Sequence, residues 1–176
     1  MLQLQEDIFS RISPEQFRDA LRHFPAGVTV VTIKSGEEVH GMTVSAFASV
    51  SPTPPLILVV IDHRGRGHEL LERSNAVFAV NFLREDQQAL SNQFAWQKED
   101  RFGIGEWETA VTGAPILTDA LAWLDCTVYS RHTAGTHTIY IGEVKASHVP
   151  EPEQKPLVYW NRDYRKICDP EMDNDD

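Results

Sequence analysis

Apolar positions along this chain recur at two spacings, and the switch between them marks its elements. Phe17, Ala20, Leu21 and Phe24 stand at i, i+3, i+4 and i+7, the spacing of one helix face. Ser13-Pro14-Glu15-Gln16 before them reads as a capping box with proline at the first helical position, and Pro25 and Gly27 close the segment. The spacing then changes. Val28–Ile33 is β-branched throughout, Ser35-Gly36-Glu37-Glu38 supplies a turn before His40, and Pro52, Pro54 and Pro55 set off a further apolar run, Leu56–Ile61. Three strands are therefore expected by residue 61. A short helix is predicted over His68–Arg73, a strand over Ala76–Leu83, and a helix over Gln87–Ala95 with Ala89, Leu90 and Phe94 on one face. Ala120–Ser130, Thr138–Val149 and Leu157–Trp160 complete the strands, with Gly135 at a turn. So few helices between strands exclude alternating βαβ units. The expected class is mainly β, an antiparallel, barrel-like sheet with peripheral helices.

Between two of these apolar runs lies Gly41–Ser51, GMTVSAFASVS, a ribbon of small and hydroxyl side chains. Set inside a core-forming region, the hydroxyls of Thr43, Ser45, Ser49 and Ser51 would need partners, because an unpaired buried hydroxyl costs about 1–3 kcal/mol. A flat heteroaromatic ligand, with donors and acceptors along its edge, is one source of such partners.

Composition narrows the class further. The 176 residues suit one domain, with 41% apolar and 24% charged residues. The longest apolar run falls far short of the roughly 20 residues that cross a bilayer, so no membrane partner is expected. MLQLQEDIFS is acidic rather than basic-then-apolar and does not read as a signal peptide. Cys126 and Cys168 form no framework and are expected to be free thiols in a reducing cytoplasm. Residues 167–176 carry five acids and no base, and are expected to be a frayed tail behind a single domain spanning 1–166. A net charge of −10 argues against nucleic acid as a partner.

Candidate chemistry is sparse. Asp62-His63-Arg64-Gly65-Arg66-Gly67-His68 sits between a strand and a helix start, where glycines, backbone N–H groups and two arginines could hold a phosphate. It is not a dinucleotide fingerprint, because Leu70 stands where the third glycine belongs and no βαβ unit surrounds it. Seven histidines show no metal-ligand spacing, and His68-Glu69-Leu70-Leu71-Glu72 ends in Glu where a zinc peptidase has His. No metal is expected. His137, in the Ala134-Gly135-Thr136-His137 turn, could touch a ligand entering from solvent, or serve only the turn. No nucleophile set or carboxylate pair stands out, so any catalysis belongs to a cofactor.

Several blocks in order carry a family resemblance. They are Phe24-Pro25-Ala26-Gly27-Val28-Thr29-Val30-Val31-Thr32, the Gly41–Ser51 ribbon with Pro54-Pro55-Leu56, Phe78-Ala79-Val80-Asn81, Leu90-Ser91-Asn92-Gln93-Phe94-Ala95, Asp100-Arg101-Phe102 and Gly142-Glu143-Val144. From about Phe17 to Tyr164 the chain resembles the flavin reductase-like family. These are short-chain NAD(P)H:flavin oxidoreductases with an FMN-binding split barrel, often the reductase partners of two-component flavin monooxygenases.

The resemblance implies a homodimer that passes hydride from nicotinamide C4 to flavin N5, with FMN or FAD as the flavin and NADH or NADPH as the donor. It places Thr43, Val44, Ser45, Ser49 and Ser51 along the isoalloxazine ring, and Asp62, Arg64, Gly65, Arg66, Gly67 and His68 at its phosphate. Phe94, Ala95 and Arg101 fall near the flavin, and Gly135, His137 and Tyr164 near the nicotinamide. It implies positioning rather than acid–base catalysis, with His137 the one candidate for a direct role. Three departures stand out: Thr43-Val44-Ser45-Ala46 replaces the family's Thr-Ala-Asn-Ser, Gly65 and Gly67 replace Ser and Thr, and Thr136 replaces Asp before His137. They leave open a tightly FMN-binding electron carrier, or a barrel that has lost flavin and serves as an interaction module.

Overall fold

The computed structural model describes residues 12–97, 99–150 and 153–168. The acidic stretch 169–176 and the first eleven residues lie outside them, as does the fraying expected of the tail. The helices are α1 (Pro14–Leu21), α2 (Arg66–Leu71) and α3 (Gln88–Trp96). The strands are β1 (Ala26–Gly27), β2 (Thr29–Ser35), β3 (Glu38–Val44), β4 (Phe47–Pro52), β5 (Pro55–Asp62), β6 (Val77–Phe82), β7 (Trp107–Thr109), β8 (Pro115–Leu117), β9 (Ala122–Ala134), β10 (His137–His148), β11 (Val158–Trp160) and β12 (Asp163–Arg165).

Seven strands form one antiparallel sheet in the order β3-β2-β6-β9-β10-β5-β4. Its two edges, β3 and β4, are consecutive in the chain and joined only by Ser45-Ala46. Six strand spacings laid flat would span roughly 29 Å. Three Cα–Cα steps, from Val44 to Phe47, reach about 11 Å at most. The sheet must therefore curl until its edges meet at that link. It is a barrel, and its seam lies at Ser45-Ala46. Val60 N–H donates to the Ala46 carbonyl (3.1 Å) and Thr29 Oγ1 to the Val44 carbonyl (2.6 Å), fixing both sides of the seam.

Inside, Val31, Ile33, Val59, Phe78, Val80 and Tyr140 are fully buried. A second cluster, with Val30, Leu83, Phe94, Leu117 and Leu157, fills the space under α3. Buried Asn81 ties the two regions, its amide donating to the Val30 carbonyl (3.1 Å) and accepting from Leu117 N–H (2.8 Å). Asp125, also buried, accepts from Thr112 N–H (2.8 Å) and from the Thr112 hydroxyl.

Two expectations need correction. The ribbon is not inside the core: Ser45 and Ser49 are exposed and Thr43 and Ser51 half-buried. Ser45 lies on the link between β3 and β4, and most of β4, Ser49 included, is open to water. The α1 helix forms with its capping box, Gln16 N–H donating to Ser13 Oγ at 3.2 Å, but it ends at Leu21, short of Phe24. None of its residues is buried, and Phe24 is 74% exposed. Periodicity identified the apolar face but not what covers it.

Candidate flavin site at the barrel seam

Beside the seam, Val28, Thr43, Ser45, Ser91, Ala95, Trp96, Tyr159 and Tyr164 line an open cleft of about 160 Å³. Three elements bring them together. The β3 strand delivers Thr43 and the link after it Ser45, α3 delivers Ser91 and its last turn, and the β11–β12 hairpin delivers Tyr159 and Tyr164. Thr43 Oγ1 donates to the Ser91 carbonyl at 2.6 Å, locking strand to helix. Tyr164 donates to Asn92 Oδ1 (3.0 Å) and lies 2.9 Å from Ser91 Oγ, locking hairpin to helix. The Tyr159 and Tyr164 rings meet edge to face at 5.4 Å. Trp96 closes the other wall, yet is 79% exposed. An indole so open to water is an apolar surface without a partner.

Of the residues singled out from the sequence, Thr43, Ser45, Ala95 and Tyr164 converge on this cleft. Val44 and Phe94 stand behind it in the core. Arg101 braces the site from outside, its Nη1 donating to the Gly41 and Phe94 carbonyls, both at 2.7 Å. Ser49 and Ser51 lie elsewhere, in an apolar groove of about 400 Å³ along β4 and β5. Ser51 Oγ bonds locally with the Thr53 backbone, donating to its carbonyl (3.1 Å) and accepting from its N–H (3.2 Å).

The Asp62–His68 loop shares the seam's rim, because Ala46 pairs with Val60 and His137 pairs with Asp62 across β5–β10. Its arginines have carboxylate partners. Arg64 is held by Asp62 (2.6 Å), which lies well below the usual carboxylate range because of those hydrogen bonds. Arg66 bonds to Glu69 and Glu38, and Glu38 also pairs with Arg73 (2.6 Å). All these groups are partly exposed, so the pairs are weak and exchangeable. Gly65 is the N-cap of α2, and Gly67 is buried where a Cβ would run into Met42. His68 Nδ1 lies 2.6 Å from the Tyr140 hydroxyl, which donates to Glu72 (2.7 Å). Its ring stacks on His63 at 4.6 Å between centroids. His137 begins β10 rather than sitting in the turn, with Nδ1 2.9 Å from Thr136 Oγ1, and Gly135 makes the turn in the left-handed region at φ +60°.

Sequence reasoning passed over Ser91, Trp96 and Tyr159 as site residues. Only Ser91 left a signal, a hydroxyl flanked by Leu90 and Phe94 on the buried face of α3.

Comparison with known proteins agrees with this geometry. The model of the flavin reductase like domain family matches residues 21–168. The chain belongs to the flavin reductase-like family. It is 41% identical over 152 residues to an actinorhodin polyketide dimerase of Streptomyces coelicolor, covering 86% of this chain and 85% of that one. It is 40% identical over 156 residues to the reductase component of 4-hydroxyphenylacetate 3-monooxygenase from Thermus thermophilus, covering 89% and 98%. Among solved structures, the Streptomyces globisporus NADH:FAD oxidoreductase SgcE6, in complex with NAD and FAD fragments, superposes with a TM-score of 0.83 at 32% identity, covering 94% of this chain and 99% of that one. The barrel with its seam is thus the family's split barrel.

Proposed function

We propose that this chain is an NAD(P)H-dependent flavin reductase that binds the flavin ring at the barrel seam. The observation that carries the reading is the cleft itself, lined by the hydroxyl residues Thr43, Ser45 and Ser91 together with the aromatic residues Trp96, Tyr159 and Tyr164. A flat heteroaromatic with a polar edge fits such a lining: rings cover its faces, and short side chains and backbone meet its edge. Held by these residues, a flavin would supply the redox chemistry, hydride acceptance from a reduced nicotinamide.

The protein's own residues position and shield. Thr43 is held by the Ser91 carbonyl, so its rotamer is set before ligand arrives. Trp96 and the two tyrosines displace water from the ring faces. Arg64 and Arg66, in the Asp62–His68 loop, reach a phosphate by exchanging exposed carboxylates for it. His137, beside Asp62, orients the nicotinamide with Tyr164. No acid or base is required, only near-attack geometry of roughly 3–3.5 Å between the reacting atoms.

The reduced flavin is handed to a monooxygenase component, as the name of the Thermus relative suggests. The chain works as a homodimer. Strand β4 is a sheet edge, Val50 on it is exposed, and the Ser49–Ile57 groove beside it is apolar, a surface a second copy can cover.

Steady-state oxidation of NADH and NADPH with added FMN or FAD tests the reading. Flavin-dependent turnover is expected with at least one pairing. A protein that binds FMN but ignores both nicotinamides is an electron carrier instead, and one that binds no flavin is neither.

A further inference from the structure

Beside the flavin cleft, and sharing Ser45 and Tyr159 with it, a groove of about 250 Å³ runs between α1 and the β11–β12 hairpin. Arg18, Arg22 and Arg162 line it together with Leu21, Phe24 and Trp160, so its surface is both basic and apolar. The chain carries a net charge of −10, against which three guanidiniums in one groove stand out. Arg22 Nε is buried with no hydrogen-bond partner among the described residues, an uncommon state for such a donor. The carbonyls at the end of α1 are taken by the hairpin. Asn161 N–H donates to the Arg22 carbonyl (2.9 Å) and Trp160 Nε1 to the His23 carbonyl (3.1 Å). Asp19 lies 3.4 Å from both Arg22 and Arg162, and Glu15 pairs with Arg18 at 2.8 Å. Two carboxylates thus serve three guanidiniums, in pairs exposed enough to exchange.

The chain itself carries more acid nearby. The hairpin that walls the groove ends at Arg165, and Asp169, Glu171, Asp173, Asp175 and Asp176 follow, with no base among residues 169–176. Six Cα–Cα steps separate Cys168 from Arg162, at most about 22 Å, whereas the eight residues after Cys168 reach as far as about 28 Å. The stretch is long enough to return to the groove. Residues 1–11, which lead into α1, carry two acids and one base and complement the arginines less well.

We infer that residues 169–176 dock in this groove as the counter-charge of Arg18, Arg22 and Arg162, and that the docked tail restricts entry to the neighbouring cleft. Tail carboxylates replace Asp19 on Arg22 and Arg162 with charge-assisted hydrogen bonds, and Met172 brings an apolar side chain to a groove lined by Phe24 and Trp160. Each exposed pair is weak, but a tethered partner is present at an effective concentration on the order of millimolar, so weak pairs suffice. Groove and cleft share Ser45 and Tyr159, so a tail in the one narrows the mouth of the other. The restriction of entry rests on the flavin reading of the cleft; the docking does not.

The test is a nitroxide on the tail of the full chain, read as broadening of backbone amides by NMR. Asp176→Cys carries the label in a Cys168→Ser background, where the remaining thiol, Cys126, is buried. At about 0.01 M salt the amides of Arg18, Arg22, Asn161 and Arg162 lose about half their intensity or more, and they recover it at about 1 M salt, where the Debye length is only about 3 Å. Changing Asp169, Asp173 and Asp175 to Asn and Glu171 to Gln abolishes the broadening without touching the barrel. The same amide-substituted tail, without the label, raises FMN affinity about twofold or more in a fluorescence titration, in proportion to the fraction of chains it leaves open. No broadening at low salt, or broadening that survives the amide substitutions, overturns the inference. So does broadening that arises only between labelled and isotope-enriched chains in a mixture, which assigns the tail to a second copy. Equal FMN affinity in the two chains overturns the restriction of entry. Failure of both to bind FMN removes the flavin reading instead, and the broadening alone then decides the docking.

Discussion

Gly41→Ala probes how the core sets the width of the flavin cleft. Gly41 is buried on β3, and the Phe94 ring of α3 rests directly against it. A methyl built there would lie 2.6 Å from Phe94 Cδ1 and 3.4 Å from Phe102 Cζ. Phe94 cannot yield easily. It is 1% exposed and wedged between Phe102 and Trp107, each 5.3 Å away between ring centroids. Overpacking of this kind costs about 1–3 kcal/mol. Loss of glycine's chain entropy on unfolding returns roughly 0.5–1 kcal/mol. The net destabilisation is about 1–2 kcal/mol, and at the roughly 2–4 °C per kcal/mol of a domain this size it lowers Tm by about 2–8 °C. Gly27→Ala is the control, because nothing lies within 4 Å of a Cβ there. Phe94 is displaced together with α3, which carries Ser91 and Ala95, so FMN affinity falls as well. Calorimetric melts and flavin-fluorescence titrations of both variants measure this. If Gly41→Ala melts with Gly27→Ala and binds FMN as the wild type does, the α3–β3 contact does not set the cleft.

Three other outcomes are expected. Burial, then the charges of Arg101 and Arg66, push the pKa of His40 down to about 4, whereas an unfolded chain takes its proton near 6.5. Between those values the unfolded state binds more protons, so stability falls as pH drops from 6.5 toward 4. The ring is half-buried, and after solvent screening the loss is on the order of 1–2 kcal/mol. His40→Gln flattens this part of the pH–Tm curve, and an unchanged slope would exclude His40 as its source. Arg64→Ala combined with Arg66→Ala weakens FMN more than riboflavin at nearly constant Tm, since the broken ion pairs are exposed; equal losses for the two ligands would remove the phosphate role. Tyr164→Phe takes one hydroxyl from the Ser91–Tyr164–Asn92 group, costs about 1 kcal/mol of stability and raises the NADH concentration needed for half-maximal turnover. A variant with wild-type kinetics would place the nicotinamide elsewhere.

The elements were largely legible, because alternation and capping are local. The Ser13 capping box, the Val28–Ile33 run and the proline-marked break before β5 all appear close to where the spacing puts them. The helix predicted over Gln87–Ala95 forms one residue later at each end. Burial was less legible. Hydroxyls between apolar runs read as buried, but which face of a strand meets the core and which meets water is decided by packing between residues far apart in sequence. The site was half visible for the same reason. Thr43, Ser45, Ala95 and Tyr164 could be named from blocks resembling the family. Nothing local told that Tyr159 and Trp96 would line one cleft, since hairpin and helix are brought together by residues far apart in sequence. The sequence singled out Arg64 and Arg66, while their carboxylate partners, such as Glu38 from β3, became visible only in three dimensions.

The chain passes between the staves at the two ends of the barrel's circumference through a single dipeptide, so movement of one against the other is felt at Ser45-Ala46. A molecule lodged there bridges the chain just before the join to elements beyond it, and acts as a clasp. Occupancy will therefore slow amide exchange around the entire ring of strands, including β6 and β9 on the far side, and not merely in the loops that touch the ligand.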